Sequence, residues 1–297
     1  MIFSITHKCN LNCKGCYEKV IRTSSKKELT DQQLRNVIKE AHELGISFIV
    51  VAGGEPFMRP AFFEITKDYQ DMIFVIFTNG LLIKNEILEA MKKQKNIASL
   101  ISLEGCEEET DEIRGRGIYN RLQKIMLKIK EQNIFFGTSL TLTKNNFNTI
   151  LNEQFIQGLI NTGCKFFLFV EYNPIKPGTE KWMITDNQRK TIMEKIRKFK
   201  AKWPALFIAV PGDEDEIGGC LAAGRGFIHI SAEGDVEPCP FAPYSDMNLN
   251  NASLKDALNS DFLRKIRENH AQLHGTDGSC GLWANREMVK ALLNEKN

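Results

Sequence analysis

Apolar runs and amphipathic stretches alternate over much of the chain. Residues 2–5 form a short apolar run that reads as a strand, and a polar stretch at 22–27 carries no pattern of its own. Thr30 then stands as an N-cap ahead of a helix running to Leu44, with Gly45 at its C′ stop. The continuous apolar run 46–51 suits a parallel strand covered on both faces. The beat repeats with strand 73–77 and helix 84–93, strand 99–103 and helix 119–130, strand 135–142 and helix 150–160, then strand 166–170. Six strands alternating with helices predict a parallel α/β sheet, and barrel-type versions gather their chemistry at C-terminal strand ends.

Beyond the sixth strand, the Pro- and Gly-bearing stretch 171–180 is a long shaped loop, a kind that carries specificity when it lies over a site. A helix at 186–200 follows, and Trp182 and Trp203 read as core packing rather than ligand stacking. From Gly218 the character changes to a β-hairpin, strands 227–231 and 235–237 around Glu233 and Gly234, followed by a helix at 253–268.

Composition narrows the class. At 297 residues, 42% apolar and 26% charged, the chain can build one large α/β domain with a small appendage. A net charge of +2 with no long basic run gives no reason to expect nucleic acid, and no apolar run is long enough to span a membrane. No apolar targeting segment opens the chain, and eight cysteines in such a context read as a reduced, cytoplasmic protein that uses thiolates for metal.

Three of those cysteines fall within eight residues, as Cys9-x3-Cys13-x2-Cys16, directly after the first strand. Spacing this tight gathers three thiolates round one point and predicts a metal site. Four-iron clusters normally take four thiolates, so three would leave one iron open to a substrate or cofactor. Zinc is the alternative, with His7 as a fourth ligand, although no Cys or His follows until His42. The second strand ends in Gly53-Gly54-Glu55-Pro56, where glycines permit close backbone approach and a carboxylate can accept from an ammonium.

The cysteine loop and the Gly-Gly-Glu-Pro turn together resemble the radical S-adenosylmethionine (radical SAM) enzymes. The resemblance implies a partial (β/α)6 TIM-like barrel in which Cys9, Cys13 and Cys16 hold a [4Fe–4S] cluster. Its open iron would chelate SAM, whose reductive cleavage yields a 5′-deoxyadenosyl radical that abstracts hydrogen from substrate. The family usually has an aromatic residue before its third cysteine, where this chain has Gly15, and Tyr17 is the candidate to make up that packing. By the same resemblance Gly53, Gly54, Glu55 and Pro56 would hold the SAM amino group, with Thr78 and Asn79 at the next strand end. The run Ser102-Leu103-Glu104-Gly105 and Asp111 to Gly115 is similar to a family phrase with Glu for the usual Asp. It makes Ser102 a ribose candidate, Glu104 a substrate or ribose candidate, and Arg114 either a SAM carboxylate partner or a loop anchor. Ser139 and Thr141 on strand five and Glu171 and Tyr172 after strand six complete the cofactor and substrate candidates.

The C-terminal phrase Cys220-x13-Gly234-x4-Cys239, with Cys280 further on, resembles the SPASM or twitch auxiliary-cluster domain. It implies a second [4Fe–4S] cluster on three thiolates, for substrate binding or electron relay. Cys106 and Cys164 read mostly as buried small hydrophobes, with Cys106 a hydrogen-atom donor candidate and either a remote candidate for the fourth ligand. The expected organisation is a partial barrel at 1–180, a linking helix and strand at 181–215, and a β-hairpin-plus-helix cluster domain at 216–297. The expected activity is a radical SAM oxidoreductase or maturase acting in peptide or protein maturation, with cofactor or small-molecule biosynthesis as the second reading. A non-catalytic zinc or electron-transfer protein is the reading from another class. Expected partners are the substrate, a reductase such as flavodoxin or ferredoxin, and a separate substrate-recognition protein.

Overall fold

The computed structural model describes residues 1–21, 26–212, 219–273 and 280–294. Part of the polar stretch at 22–27, Gly218 and the expected boundary at 215/216 lie outside the described residues. The strands are β1 (Ile2–Ser4), β2 (Phe48–Ala52), β3 (Ile73–Thr78), β4 (Ile97–Leu103), β5 (Phe136–Leu142), β6 (Phe166–Glu171), β7 (Leu206–Val210), β8 (His229–Ile230) and β9 (Val236–Glu237). The chain forms two compact units. One comprises Met1–Lys8, Ile21–Phe74 and Glu214–Asn297; the other comprises Cys9–Val20 and Val75–Asp213.

In the first unit β1 is central. It pairs in parallel with β2, Phe3 opposite Val51, and on its other edge in parallel with β8, Phe3 opposite Ile230; β9 closes the hairpin antiparallel to β8. The C-terminal hairpin therefore extends the sheet begun by the first residues of the chain. Phe3, Ile5, Ile49, Val51, Phe62 and Phe74 are wholly or almost wholly buried here. Removing each such side chain from water stabilises the unit by roughly 1.5–3 kcal/mol before entropy is counted. The helix Asp31–Glu43 turns Leu34, Val37, Ile38 and Ala41 inward; Thr30 is its N-cap, as the sequence predicts, and Gln33 completes a capping box with it. Within the same core, Ser4 Oγ lies 2.8 Å from His229 Nε2, and His229 Nδ1 lies 2.6 Å from Glu237 Oε2, all three residues buried.

The second unit holds the parallel run β4-β5-β6-β7, with Ser102 opposite Ser139, Ser139 opposite Leu168, and Leu168 opposite Ile208. Phe167 and Phe207 stack at 4.8 Å, and Phe199 and Trp203 of the helix Asp186–Lys202 and its cap pack against Phe207. Trp203 is core, as expected. The predicted helix at 253–268 is two helices, Leu254–Leu258 and Asp261–Glu268, because Ser260 caps the second and interrupts the first. The helix expected at 150–160 likewise divides into Phe147–Ile150 and Glu153–Asn161, with Asn152 capping the latter. No described helix is long and apolar enough to cross a membrane.

Candidate functional site

The stretch after β1 turns sharply into the short helix Tyr17–Ile21. Lys14 N donates to Ile113 O at 2.8 Å, and Lys19 Nζ donates to Leu11 O at 3.0 Å, which fixes the loop from both sides. Two donors are aimed at the first thiol: Leu11 N at 3.5 Å and Asn79 Nδ2 at 3.8 Å from Cys9 Sγ. Asn79 also donates to Asn10 Oδ1 at 2.7 Å, and its own Oδ1 accepts from Leu81 N. Burial pushes the Cys13 thiol up, the Arg114 guanidinium pulls it down, and Cys16 and Cys9 push it up again. Burial also raises Cys16, against its backbone hydrogen bonds, and Cys9 adds to the rise. Cys13 and Cys16, raised by burial and by the neighbouring thiols, are poorly placed as free thiolates, and together with half-buried Cys9 they form a donor set whose chemistry suits one iron–sulfur cluster.

Arg114 and Glu104 form the wall beside Cys13. Arg114 Nη2 donates to Glu104 Oε1 at 2.6 Å, Glu104 being buried and the Arg114 side chain only slightly exposed. Burial raises the Glu104 carboxyl, and Arg114 opposes that rise. Arg114 Nε is buried without a hydrogen-bond partner among the described residues, an unmet donor next to the thiol loop. Asn146, which no motif marks out, donates from Nδ2 to Glu104 O at 2.8 Å and Thr141 O at 2.9 Å. Ser102 of β4 lies directly opposite buried Ser139 of β5, and half-buried Thr141, two residues further along β5, faces the same side one layer on.

The glycine turn is explained differently from the sequence expectation. A Cβ on Gly53 would lie 2.3 Å from Thr6 O, and one on Gly54 would lie 2.3 Å from Lys8 O. The close approach is to the chain's own backbone, which Gly54 N and Glu55 N bond at Thr6 O and Lys8 O. The two glycines thus fix the residues that deliver Cys9. Glu55 is wholly buried and accepts from Phe57 N, and Pro56 opens the short 3-10 turn Pro56–Met58. Thr78 Oγ1 accepts from Gly80 N at 2.9 Å, the strand-end turn expected there.

Glu171 is clamped by Arg189, Nη2 to Oε1 at 2.5 Å and Nε to Oε2 at 3.1 Å, and Tyr172 OH donates to Thr179 Oγ1 at 2.8 Å. Cys106 is exposed at the N-cap of the helix Glu107–Arg114, not a buried hydrophobe, because the strand has ended and the helix turns outward there. Cys164 is buried between Thr138 Oγ1 and Phe166 O, and burial pushes its thiol up to about 12. Tyr17 is half-buried at the start of its helix.

In the first unit, Cys239 is buried at the end of the hairpin while Cys220 and Cys280 are half-buried. Burial pushes Cys239 well up, and Cys280 and Cys220 both add to the rise, so these three thiols also lie within mutual reach. His7, the fourth ligand of the zinc reading, pairs instead with Glu233, Nε2 to Oε1 at 2.8 Å.

A thiol loop following the first strand of a mostly parallel α/β fold, with a second cysteine set gathered in the C-terminal region, is the pattern of an iron–sulfur enzyme of partial-barrel type. The chain belongs to the radical SAM superfamily, whose family model matches residues 3–152; the SPASM iron–sulfur cluster-binding domain matches 220–281. Among its relatives are the AdoMet-dependent heme synthase of Methanosarcina barkeri, 27% identical over 94% of this chain and 87% of that one. Another is the mycofactocin maturase MftC of Mycobacterium tuberculosis, 26% identical over 95% of this chain and 75% of that one. The crystal structure of Streptococcus suis SuiB bound to precursor peptide SuiA shares the fold at TM-score 0.71 and 18% identity. That match covers 89% of this chain and 65% of SuiB, so this chain spans less than two thirds of that enzyme. The chain is accordingly an enzyme with a [4Fe–4S] cluster, SAM and an auxiliary iron–sulfur cluster as its cofactors.

Proposed function

We propose that this enzyme generates a substrate radical in the maturation of a peptide or protein. Bound together, the cluster and SAM supply a one-electron cleavage that gives a 5′-deoxyadenosyl radical and methionine. The observation that carries the site assignment is the mutual proximity of Cys9, Cys13 and Cys16, with N–H donors on Cys9 and the Arg114 side chain by Cys13. In this reading Cys9, Cys13 and Cys16 ligate the first cluster, and Cys220, Cys239 and Cys280 the auxiliary one. Arg114, with its unmet Nε, is the candidate for the SAM carboxylate, and Glu104 holds it in place. Ser102, Ser139, Thr78, Asn79, Tyr17, Glu55 and Pro56 remain SAM candidates, with Gly53 and Gly54 acting through the backbone they let pass. Glu171, fixed by Arg189, together with Tyr172, Thr141 and Cys106, borders the substrate space; the protein's task is to orient both partners and exclude water.

The peptide reading is supported by the relative named as a mycofactocin maturase. The heme synthase relative favours the second reading, cofactor biosynthesis. The division at 1–180, 181–215 and 216–297, a cytoplasmic setting, a flavodoxin or ferredoxin reductant and a separate recognition protein belong to the same proposal. The test is anaerobic: reconstitute with iron and sulfide, reduce, add SAM, and quantify 5′-deoxyadenosine. Its formation in wild type and its loss in Cys13→Ala support the site. Mass spectrometry of precursor peptides encoded beside the gene then separates the two substrate readings.

A further inference from the structure

Gly15 sits inside the turn between Cys13 and Cys16 with φ of +71°. A Cβ there would lie 2.5 Å from Cζ3 of Trp182, a ring carried by the loop after β6. No side chain larger than hydrogen fits between them, so the indole rests directly on the cysteine turn. Trp182 is not core: it is only half-buried. Its placement is nonetheless fixed. Trp182 N donates to Thr179 O at 2.9 Å, and Trp182 O accepts from Lys144 N at 2.8 Å. Its ring lies 5.4 Å from that of Tyr172, tilted at 57°, and the Tyr172 hydroxyl is tied to Thr179. Tyr172 N in turn bonds Leu142 O at the end of β5. The base of the loop is held by the Glu171–Arg189 fork.

We propose that Trp182 is a positioning residue for the cluster held by Cys9, Cys13 and Cys16. With Tyr172 behind it, the indole forms an apolar wall over the Cys13–Cys16 turn, which keeps water off the cluster and connects the substrate-side loop to it. The inference rests on those three cysteines being cluster ligands. Exposure to solvent and surrounding hydrogen bonds set the potential and lifetime of an iron–sulfur cluster. Water admitted at this wall stabilises the more highly charged reduced form, so opening it raises the potential. Gly15 is then required for two reasons, its left-handed backbone and the ring above it.

The test uses the full chain, reconstituted with iron and sulfide, carrying Trp203→Phe and Trp283→Phe so that Trp182 is the only indole. Its fluorescence is quenched on cluster loading in the otherwise wild-type protein and recovers when Cys13→Ala removes the first cluster. In the chain that keeps Trp203 and Trp283, Trp182→Ala accelerates loss of the SAM-responsive electron paramagnetic resonance signal in air on the order of tenfold. It also raises that signal's midpoint potential, while Trp182→Phe restores most of both properties. Gly15→Ala reproduces the defect, and adding it to Trp182→Ala costs much less than the two separately. If wild type and Cys13→Ala bind the same iron, the cluster reading fails and takes this inference with it. If their iron differs but emission, air lifetime and potential ignore Trp182, the inference alone is overturned. Should Trp182→Ala not fold, the emission comparison and the potential of Trp182→Gln, which keeps a side chain there but wets the wall, decide the matter: an unchanged potential overturns the inference.

Discussion

The two cysteine sets reach the same end by different routes. Cys9, Cys13 and Cys16 lie in one short loop, half-buried, with N–H donors already turned toward a sulfur. Cys220, Cys239 and Cys280 are brought together from distant parts of the C-terminal region, and their most buried member sits where a hairpin ends on the sheet of β1. The first set is specified by local sequence; the second exists only once tertiary structure has formed. Loop thiols can therefore be altered with little effect on folding, whereas Cys239 is part of a core.

The largest effect that would break this contrast is expected from paired substitutions. Cys13→Ala should lower 5′-deoxyadenosine formation to background and iron content by about four atoms per chain, while leaving the thermal transition close to wild type. Cys239→Ala should also remove about four irons, retain measurable SAM cleavage, and destabilise the apo-protein by about 1–2 kcal/mol. Anaerobic iron analysis and thermal unfolding check both. Equal destabilisation by the two variants would mean that the loop is as much a part of the core as the hairpin.

A second comparison concerns two buried polar contacts, one in each unit: the Arg114–Glu104 ion pair and the hydrogen bonds of His229 with Ser4 and Glu237. Arg114→Ala strands Glu104 without its partner beside Cys13, and loss of one member of a buried pair costs about 3–5 kcal/mol. His229→Ala removes the hydrogen bonds that His229 makes with Ser4 and Glu237 in the buried β1 core and should cost about 1–3 kcal/mol. The readouts separate them in urea titration with and without SAM: Arg114→Ala loses SAM-dependent stabilisation, and His229→Ala retains it. Loss of that stabilisation in both would remove Arg114 as a specific SAM partner.

Sequence alone was enough where the determinants are local. The spacing of Cys9, Cys13 and Cys16, the capping residue Thr30 and the apolar runs of the parallel strands all act within a few residues. The helix Glu107–Arg114 escaped because Glu107, Glu108, Glu109, Asp111 and Glu112 leave it no apolar stripe; acidic residues in its first turn suit the helix dipole instead. Arg189 on Glu171, Asn146 on the Glu104 carbonyl and Trp182 on Gly15 escaped for another reason. Each joins residues from separate elements, and only the register of the sheet brings them together. Gly15 carried the one available signal, a missing side chain whose space some other residue had to fill.

The smallest expected effect, a pH dependence, separates two carboxylates with opposite shifts. Burial pushes Glu233 up, but the hydrogen bond and charge of His7 outweigh it and hold the carboxyl at about 2, against an ordinary 4.5. A lowered folded pKa means that the unfolded chain takes up the proton first. The stability that Glu233 contributes is therefore complete above pH 4.5 and is lost as pH falls toward 2. Glu104 has the reverse sign: its folded pKa is raised by burial, so its contribution declines as pH climbs above 4.5. Urea titrations of wild type, Glu233→Gln and Glu104→Gln across this range should show the wild-type advantage over Glu233→Gln shrinking in acid. The wild-type difference from Glu104→Gln should move the other way. Parallel slopes for the two variants would mean that Arg114 dominates Glu104 as His7 dominates Glu233, and that the wall beside Cys13 is a settled ion pair whose charge is already committed before SAM arrives.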